Sequence, residues 1–269
     1  TLTNILLKSF KRFPEFNSIK KIFLFEKSDY LKKIQKKEIF NKDVNWIENF
    51  DKIKKGPVVF FGNEFFDAIP IKQFKKINNY LFEKNYTIDN NNKIKETFKK
   101  ASSNNYKIIK SYKTLKNLKF IEFPKLGFRE LKKISRKINN LGGCILLIDY
   151  GYLRPNNQNT LQSLIKHKKN KILKNLGAAD VTAHVNFALL NEFFKKNGLT
   201  PKKIVSQKRF LENMGIIERA EILAKKMKFT EKADLYSRIK RLLSPKHMGN
   251  LFKVILAYKF ENSKFVGFK

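Results

Sequence analysis

An apolar run, Val58-Val59-Phe60-Phe61, ends in Gly62-Asn63-Glu64, and Asp67 follows three residues after the glutamate, before Ala68-Ile69-Pro70. A short run of β-favouring apolar residues reads as a buried strand. In open α/β folds, ligands bind just beyond the carboxyl ends of the strands. Two carboxylates there can orient a planar cation such as a guanidinium through paired, charge-assisted hydrogen bonds. The same residues also suit a helix start, with Asn capping and Glu64 and Asp67 in a favourable first turn. Taken alone, the segment carries both readings.

Two further carboxylates stand in comparable places. Glu26 follows Ile22-Phe23-Leu24-Phe25, and Asp149 follows Ile145-Leu146-Leu147-Ile148 and precedes Tyr150-Gly151. In one parallel sheet, Glu26, Glu64 and Asp149 would gather along a single rim. A carboxylate after the second strand of a nucleotide-binding fold accepts hydrogen bonds from ribose hydroxyls. Glu26 takes that place if another strand lies upstream. Such a strand ends in a glycine-rich turn, where backbone must approach the ligand closely, and no G-x-G-x-x-G loop occurs in these 269 residues.

The elements that would position these groups alternate between helical and extended patterns. Leu2 to Phe13 has helical spacing and stops at Pro14; Ser28 caps a helix carrying Leu31 and Ile34; a weak strand spans Val44 to Ile47. From Ile71 to Phe123 the pattern turns antiparallel, with a hairpin at Asn78-Asn79, a turn at Asn90-Asn91-Asn92 and a strand at Phe120-Ile121-Glu122-Phe123. A basic amphipathic helix over Leu131 to Leu141 ends at Gly142-Gly143. Leu161 to Ile165 reads as helical. Phe187, Leu190, Phe193 and Phe194 form an apolar stripe closed by Gly198, further helices fill Phe210 to Leu242, and Leu251 to Tyr258 is a final strand. The spacing gives no metal-ligand cluster.

Composition narrows the function classes. The chain is 42% hydrophobic and 13% aromatic, which is globular, and no apolar run reaches the ~20 residues of a membrane-spanning helix. The single cysteine, Cys144, excludes an intramolecular disulfide and reads as a buried small hydrophobe. The +35 charge is dominated by lysine and spread along the chain. Arginine is the residue of bidentate phosphate and base contacts, so a specific nucleic-acid partner is not expected. Abundant Lys, Asn, Ile and Phe fit an AT-rich genome.

Four segments in this order resemble the MidA-like family of S-adenosylmethionine-dependent methyltransferases. They are Asn63-Glu64-Phe65-Phe66-Asp67-Ala68-Ile69-Pro70, Leu146-Leu147-Ile148-Asp149-Tyr150-Gly151, Asp180-Val181-Thr182-Ala183-His184-Val185-Asn186-Phe187 and Met248-Gly249-Asn250-Leu251-Phe252-Lys253-Val254. Asn159-Thr160-Leu161-Gln162, Ser206 to Leu211 and Phe25 to Ser28 support it. That family includes a mitochondrial complex I assembly factor that dimethylates an arginine of a complex I subunit. Thr1-Leu2 looks like the end of the family's cofactor-loop signature, so the resemblance implies a fragment whose first strand and glycine loop lie upstream.

The resemblance implies a class I (Rossmann-like) α/β sheet lacking its first strand, with an antiparallel β insertion and C-terminal helices. Residues 1–70 and 142–269 would form the core and 71–141 the insertion. The expected cofactor is S-adenosylmethionine, with Glu26 on its ribose, Trp46 bordering its adenine, and Asn63 and Asp149 lining its site. Glu64, Asp67 and Tyr150 would hold the acceptor, and Asn63, Glu64, Asp67 and His184 would serve the reaction. Trp46 as a packing residue and His184 as a helix-start residue are the structural alternatives. The expected partner is a protein substrate, with a complex I subunit as the candidate and a homodimer left open. The expected location is a bacterial cytoplasm, with the mitochondrial matrix as alternative. The competing functions are methylation of another protein or a small molecule, and a non-enzymatic basic binding module.

Overall fold

The computed structural model describes residues 2–19, 21–39, 43–166, 168–259 and 264–269; Thr1, with its place in the loop signature, lies outside them. The chain forms two compact units, Thr1–Lys55 and Gly56–Lys269. In the first, α1 (Leu2–Phe10) precedes a 3-10 turn at Pro14–Ser18, β1 (Ile22–Phe25), α2 (Asp29–Glu38) and β2 (Val44–Ile47). β1 and β2 pair in parallel, with Leu24 opposite Trp46. Ser28 caps α2 as its sequence position suggests, its side chain accepting the Leu31 amide at 3.3 Å.

The second unit runs β3 (Val58–Asn63), β4 (Lys72–Ile77), β5 (Tyr80–Ile88), β6 (Ile94–Lys100), α3 (Ser103–Lys110), β7 (Phe120–Phe123), α4 (Lys125–Leu141) and β8 (Gly143–Tyr152). It continues through β9 (Gln162–Ile165), β10 (Lys168–Asn170), β11 (Asp180–Thr182), β12 (Val185–Asn186) and α5 (Phe187–Lys196). Then come β13 (Thr200–Pro201), β14 (Val205–Ser206), α6 (Gln207–Asn213), α7 (Ile216–Ala224), α8 (Phe229–Leu243), α9 (Met248–Leu251) and β15 (Phe252–Lys259).

Its central sheet is mixed. β8 pairs in parallel with β3 along Gly143–Ile148 and with β12 at Gly151 and Tyr152, and antiparallel with β15 on its other edge. Residues 71–141 lie wholly within this unit and contribute a second, antiparallel sheet in the order β6-β5-β4-β7. The Asn78-Asn79 turn joins β4 to β5 with both residues at positive φ, 45° and 67°, the backbone a two-residue hairpin requires and asparagine tolerates.

α4 begins at Lys125, six residues before the expected Leu131, and buries Phe128, Leu131, Ile134 and Ile138. α5 shows why one face of a helix goes inward. Asn186 caps it by accepting the Leu189 amide at 3.0 Å, and Phe187, Leu190, Phe193 and Phe194 are at most 2% exposed. Each such side chain contributes about 1.5–3 kcal/mol by leaving water. Phe193 packs on Phe128 of α4 with ring centroids 4.3 Å apart. Cys144 is buried, as expected, and burial raises its thiol pKa.

One segment differs in kind from the sequence reading. Leu161 to Ile165 is not helical: Gln162–Ile165 is β9, the middle strand of a three-stranded antiparallel sheet with β10 and β11. Leu161, Leu164 and Ile165 mimic a helical period, but pairing with Asp180–Thr182, remote in sequence, decides the conformation.

Candidate functional site

The site is built on two adjacent strand ends. β3 delivers Asn63 and Glu64, and β8 delivers Asp149 and Tyr150; Asn63 lies opposite Ile148 in the ladder. The Glu64 amide continues that ladder by donating to the Ile148 carbonyl at 3.0 Å. Glu64 itself sits at φ +48°, a left-handed conformation that costs a non-glycine residue roughly 1–2 kcal/mol. Asn63 and Glu64 are both exposed. Among the described residues, neither side chain has a hydrogen-bond partner. Strain held in place at a strand end, with free polar groups on it, is the pattern of a functional turn.

Asp149 holds that turn. Its side chain is 1% exposed. Oδ2 accepts the amides of Phe66 at 2.8 Å and Asp67 at 3.2 Å, and Oδ1 accepts the amide of Tyr150 at 2.9 Å. Burial, reinforced by the neighbouring Asp67 charge, pushes its pKa up to about 7 against the pull of those three amides. Both oxygens therefore accept from the chain's own backbone, which makes Asp149 a support for the turn.

Asp67 is 7% exposed. Its Oδ2 accepts the Tyr150 hydroxyl in a short hydrogen bond, while Oδ1 is buried without a partner among the described residues. Burial, then the bond to Asp67, raises the Tyr150 pKa, so the phenol stays a proton donor at neutral pH. The Tyr150 ring meets His184 edge-on at 5.3 Å between centroids. His184 is half-buried and burial lowers its pKa, leaving the imidazole neutral at pH 7. The Ala183 amide donates to the Asp67 carbonyl at 3.1 Å, which ties the His184 segment to the turn. Close approach of β12 to β8 permits this: a Cβ on Gly151 would lie 2.0 Å from the Val185 carbonyl oxygen.

The structure therefore brings Asn63, Glu64, Asp67, Asp149, Tyr150 and His184 together within the second unit. Glu26 and Trp46 belong to the first unit and are joined there. Glu26 accepts the Ser28 amide through Oε1 and the Gln35 side-chain amide through Oε2, each at 2.9 Å. Gln35 in turn accepts the Trp46 indole N–H at 2.9 Å. This relay fixes both side chains, and each carboxylate oxygen of Glu26 keeps a lone pair for a further donor.

Sequence reasoning missed Glu122. It is buried among Ile121 and Phe123 and accepts Gln73 Nε2 at 2.9 Å, the Thr160 amide at 3.0 Å and the Thr160 hydroxyl. Glu122, Tyr152, His184 and Asn186 line a cavity of about 20 Å³. The one available signal was an acidic residue inside an apolar strand. Among the described residues no cluster of His, Cys, Asp and Glu could hold a metal ion, and no helix is long and apolar enough to cross a membrane.

A family described as "putative S-adenosyl-L-methionine-dependent methyltransferase" matches residues 1–205, and the chain belongs to that family. The mitochondrial protein arginine methyltransferase NDUFAF7 of Danio rerio is 26% identical over 210 residues, covering 78% of this chain and 49% of that protein. The Xenopus laevis protein of the same name is 28% identical over 217 residues, covering 78% and 48%. The chain thus spans about half the length of these curated relatives. A Burkholderia thailandensis protein crystallised with S-adenosyl-homocysteine shares the fold at a TM-score of 0.76 and 19% identity, covering 93% of this chain and 66% of that one. A second crystal structure from that organism, in native form, gives 0.78 and 21%, covering 93% and 69%.

Proposed function

We propose that the complete protein is an S-adenosylmethionine-dependent protein arginine N-methyltransferase in which the Glu64–Asp67 turn grips the acceptor guanidinium. The observation that carries this reading is Glu64, a carboxylate without a partner among the described residues, on a strained turn pinned by Ile148 and Asp149. A guanidinium presents five donors in one plane, and carboxylates orient it and concentrate its charge away from the attacking nitrogen. Membership of the family and the likeness to relatives named protein arginine methyltransferases support it.

When bound, S-adenosylmethionine supplies a methyl group on a positively charged sulfur. Glu26 fits its ribose, because both carboxylate oxygens are held in place and retain acceptor capacity. Trp46, fixed through Gln35, would border the adenine. Asn63 would place its carboxamide near the transferred methyl. Tyr150 keeps Asp67 oriented by donating to Oδ2. Neutral His184 can take the proton that the guanidinium releases. Catalysis then rests on orientation and electrostatics at the acceptor, without a covalent enzyme intermediate.

The acceptor implied by the family resemblance is a respiratory complex I subunit, symmetrically dimethylated during complex assembly, in the mitochondrial matrix or a bacterial cytoplasm. The test is mass spectrometry of arginine methylation in complex I from cells with and without the gene. Loss of a dimethylarginine in the deletion supports the reading; an unchanged methylation map contradicts it.

A further inference from the structure

Glu122 stands outside the strand ends that carry the acceptor turn, yet a path of hydrogen bonds and covalent links connects it to them. Thr160 Oγ1 gives its proton to Glu122 and accepts the His184 amide at 3.0 Å. One residue earlier, the Ala183 amide donates to the Asp67 carbonyl at 3.1 Å. Asp67 then accepts from Tyr150. Glu122 is 8% exposed, and among the described residues no lysine or arginine pairs with it. Gln73 steadies the carboxylate from the neighbouring strand β4, and its side-chain amide also reaches Asn159 at 2.7 Å. The carboxylate is therefore committed to the Asn159-Thr160 segment and, through it, to His184.

We propose that Glu122 is a positioning residue for methyl transfer, setting through Thr160 where His184 and Asp67 stand, so that the β4–β7 sheet is part of the acceptor-binding apparatus. This rests on the reading of Asp67 and His184 as acceptor-site groups. A carboxylate is required because it accepts from Thr160 twice while leaving the Thr160 hydroxyl oxygen free to accept from His184. A glutamine there can donate to that oxygen, which leaves the threonine proton without its acceptor and competes with the His184 amide.

The test uses the complete protein and the variants Glu122→Gln, Thr160→Val and their combination. Each single change is expected to raise the KM for an arginine-containing acceptor peptide about tenfold while calorimetric affinity for S-adenosylmethionine stays at the wild-type value. The double variant should be no worse than the poorer single one, because both interrupt one path. Hydrogen exchange supplies an arm independent of activity: the Ala183 and His184 amides should exchange faster in Glu122→Gln. Wild-type acceptor KM with unchanged exchange in a folded Glu122→Gln protein overturns the proposal, as does a multiplicative double variant. If wild-type protein fails to methylate arginine while those two amides still respond to Glu122, the arginine reading fails and the coupling stands.

Discussion

Asp149 Oδ2 accepts the Phe66 amide at 2.8 Å, joining a buried carboxylate to a turn 83 residues earlier in the chain. The same carboxylate also holds the amides of Asp67 and Tyr150. Asp149→Ala would leave three amides at the site without an acceptor. Each buried unsatisfied group costs about 1–3 kcal/mol, so the variant should lose at least about 3 kcal/mol, or unfold. Chemical denaturation of the variant and the parent measures this.

The Asp149 pKa, pushed up to about 7 from the ordinary carboxylate range near 4, sets a pH dependence. A carboxyl group raised on folding binds its proton more tightly in the native state. Its contribution is fully present below about pH 4 and is lost as pH rises through 7. The difference corresponds to at most roughly 4 kcal/mol. The stability difference between the parent and Asp149→Asn should therefore change between pH 4 and pH 8, favouring the parent at the acid end. A difference independent of pH contradicts the assigned titration.

Gly151 is the contact point between β8 and β12. A methyl group there would meet the Val185 carbonyl oxygen at 2.0 Å, and backbone cannot yield as a side chain can. Gly151→Ala should cost about 2–4 kcal/mol, in the range of severe steric substitutions. It should also displace His184, one residue before Val185. Thermal unfolding reads the first effect, and the His184 imidazole signals in NMR read the second.

Much of this arrangement was legible in the sequence because it is local. The strands carrying Val58–Phe61 and Ile145–Ile148 are apolar runs of the right length, and Asn78-Asn79 announces its own turn. The apolar stripe of α5 lies within one segment. What escaped depends on partners remote in the chain. Gln162–Ile165 becomes a strand through Asp180–Thr182. The role of Glu122 depends on Thr160, and the inward direction of the Asp149 carboxylate depends on the amides of Phe66 and Asp67. Residue type and strand pattern put Asp149 at the end of β8, but only the fold shows which way its carboxylate faces.

Glu64 is the carboxylate assigned to grip the acceptor guanidinium, and Glu64→Gln in the complete protein tests that assignment. The substitution keeps volume and removes the charge from a side chain with no partner among the described residues, so the fold should be unaffected. Arginine methylation followed by mass spectrometry should fall by about 10²- to 10³-fold, the usual loss when one electrostatic group at a reacting centre is removed. Calorimetric binding of S-adenosylmethionine should stay at the parent value. A Glu64→Gln protein that methylates arginine at the parent rate would rule out Glu64 as the acceptor-gripping carboxylate.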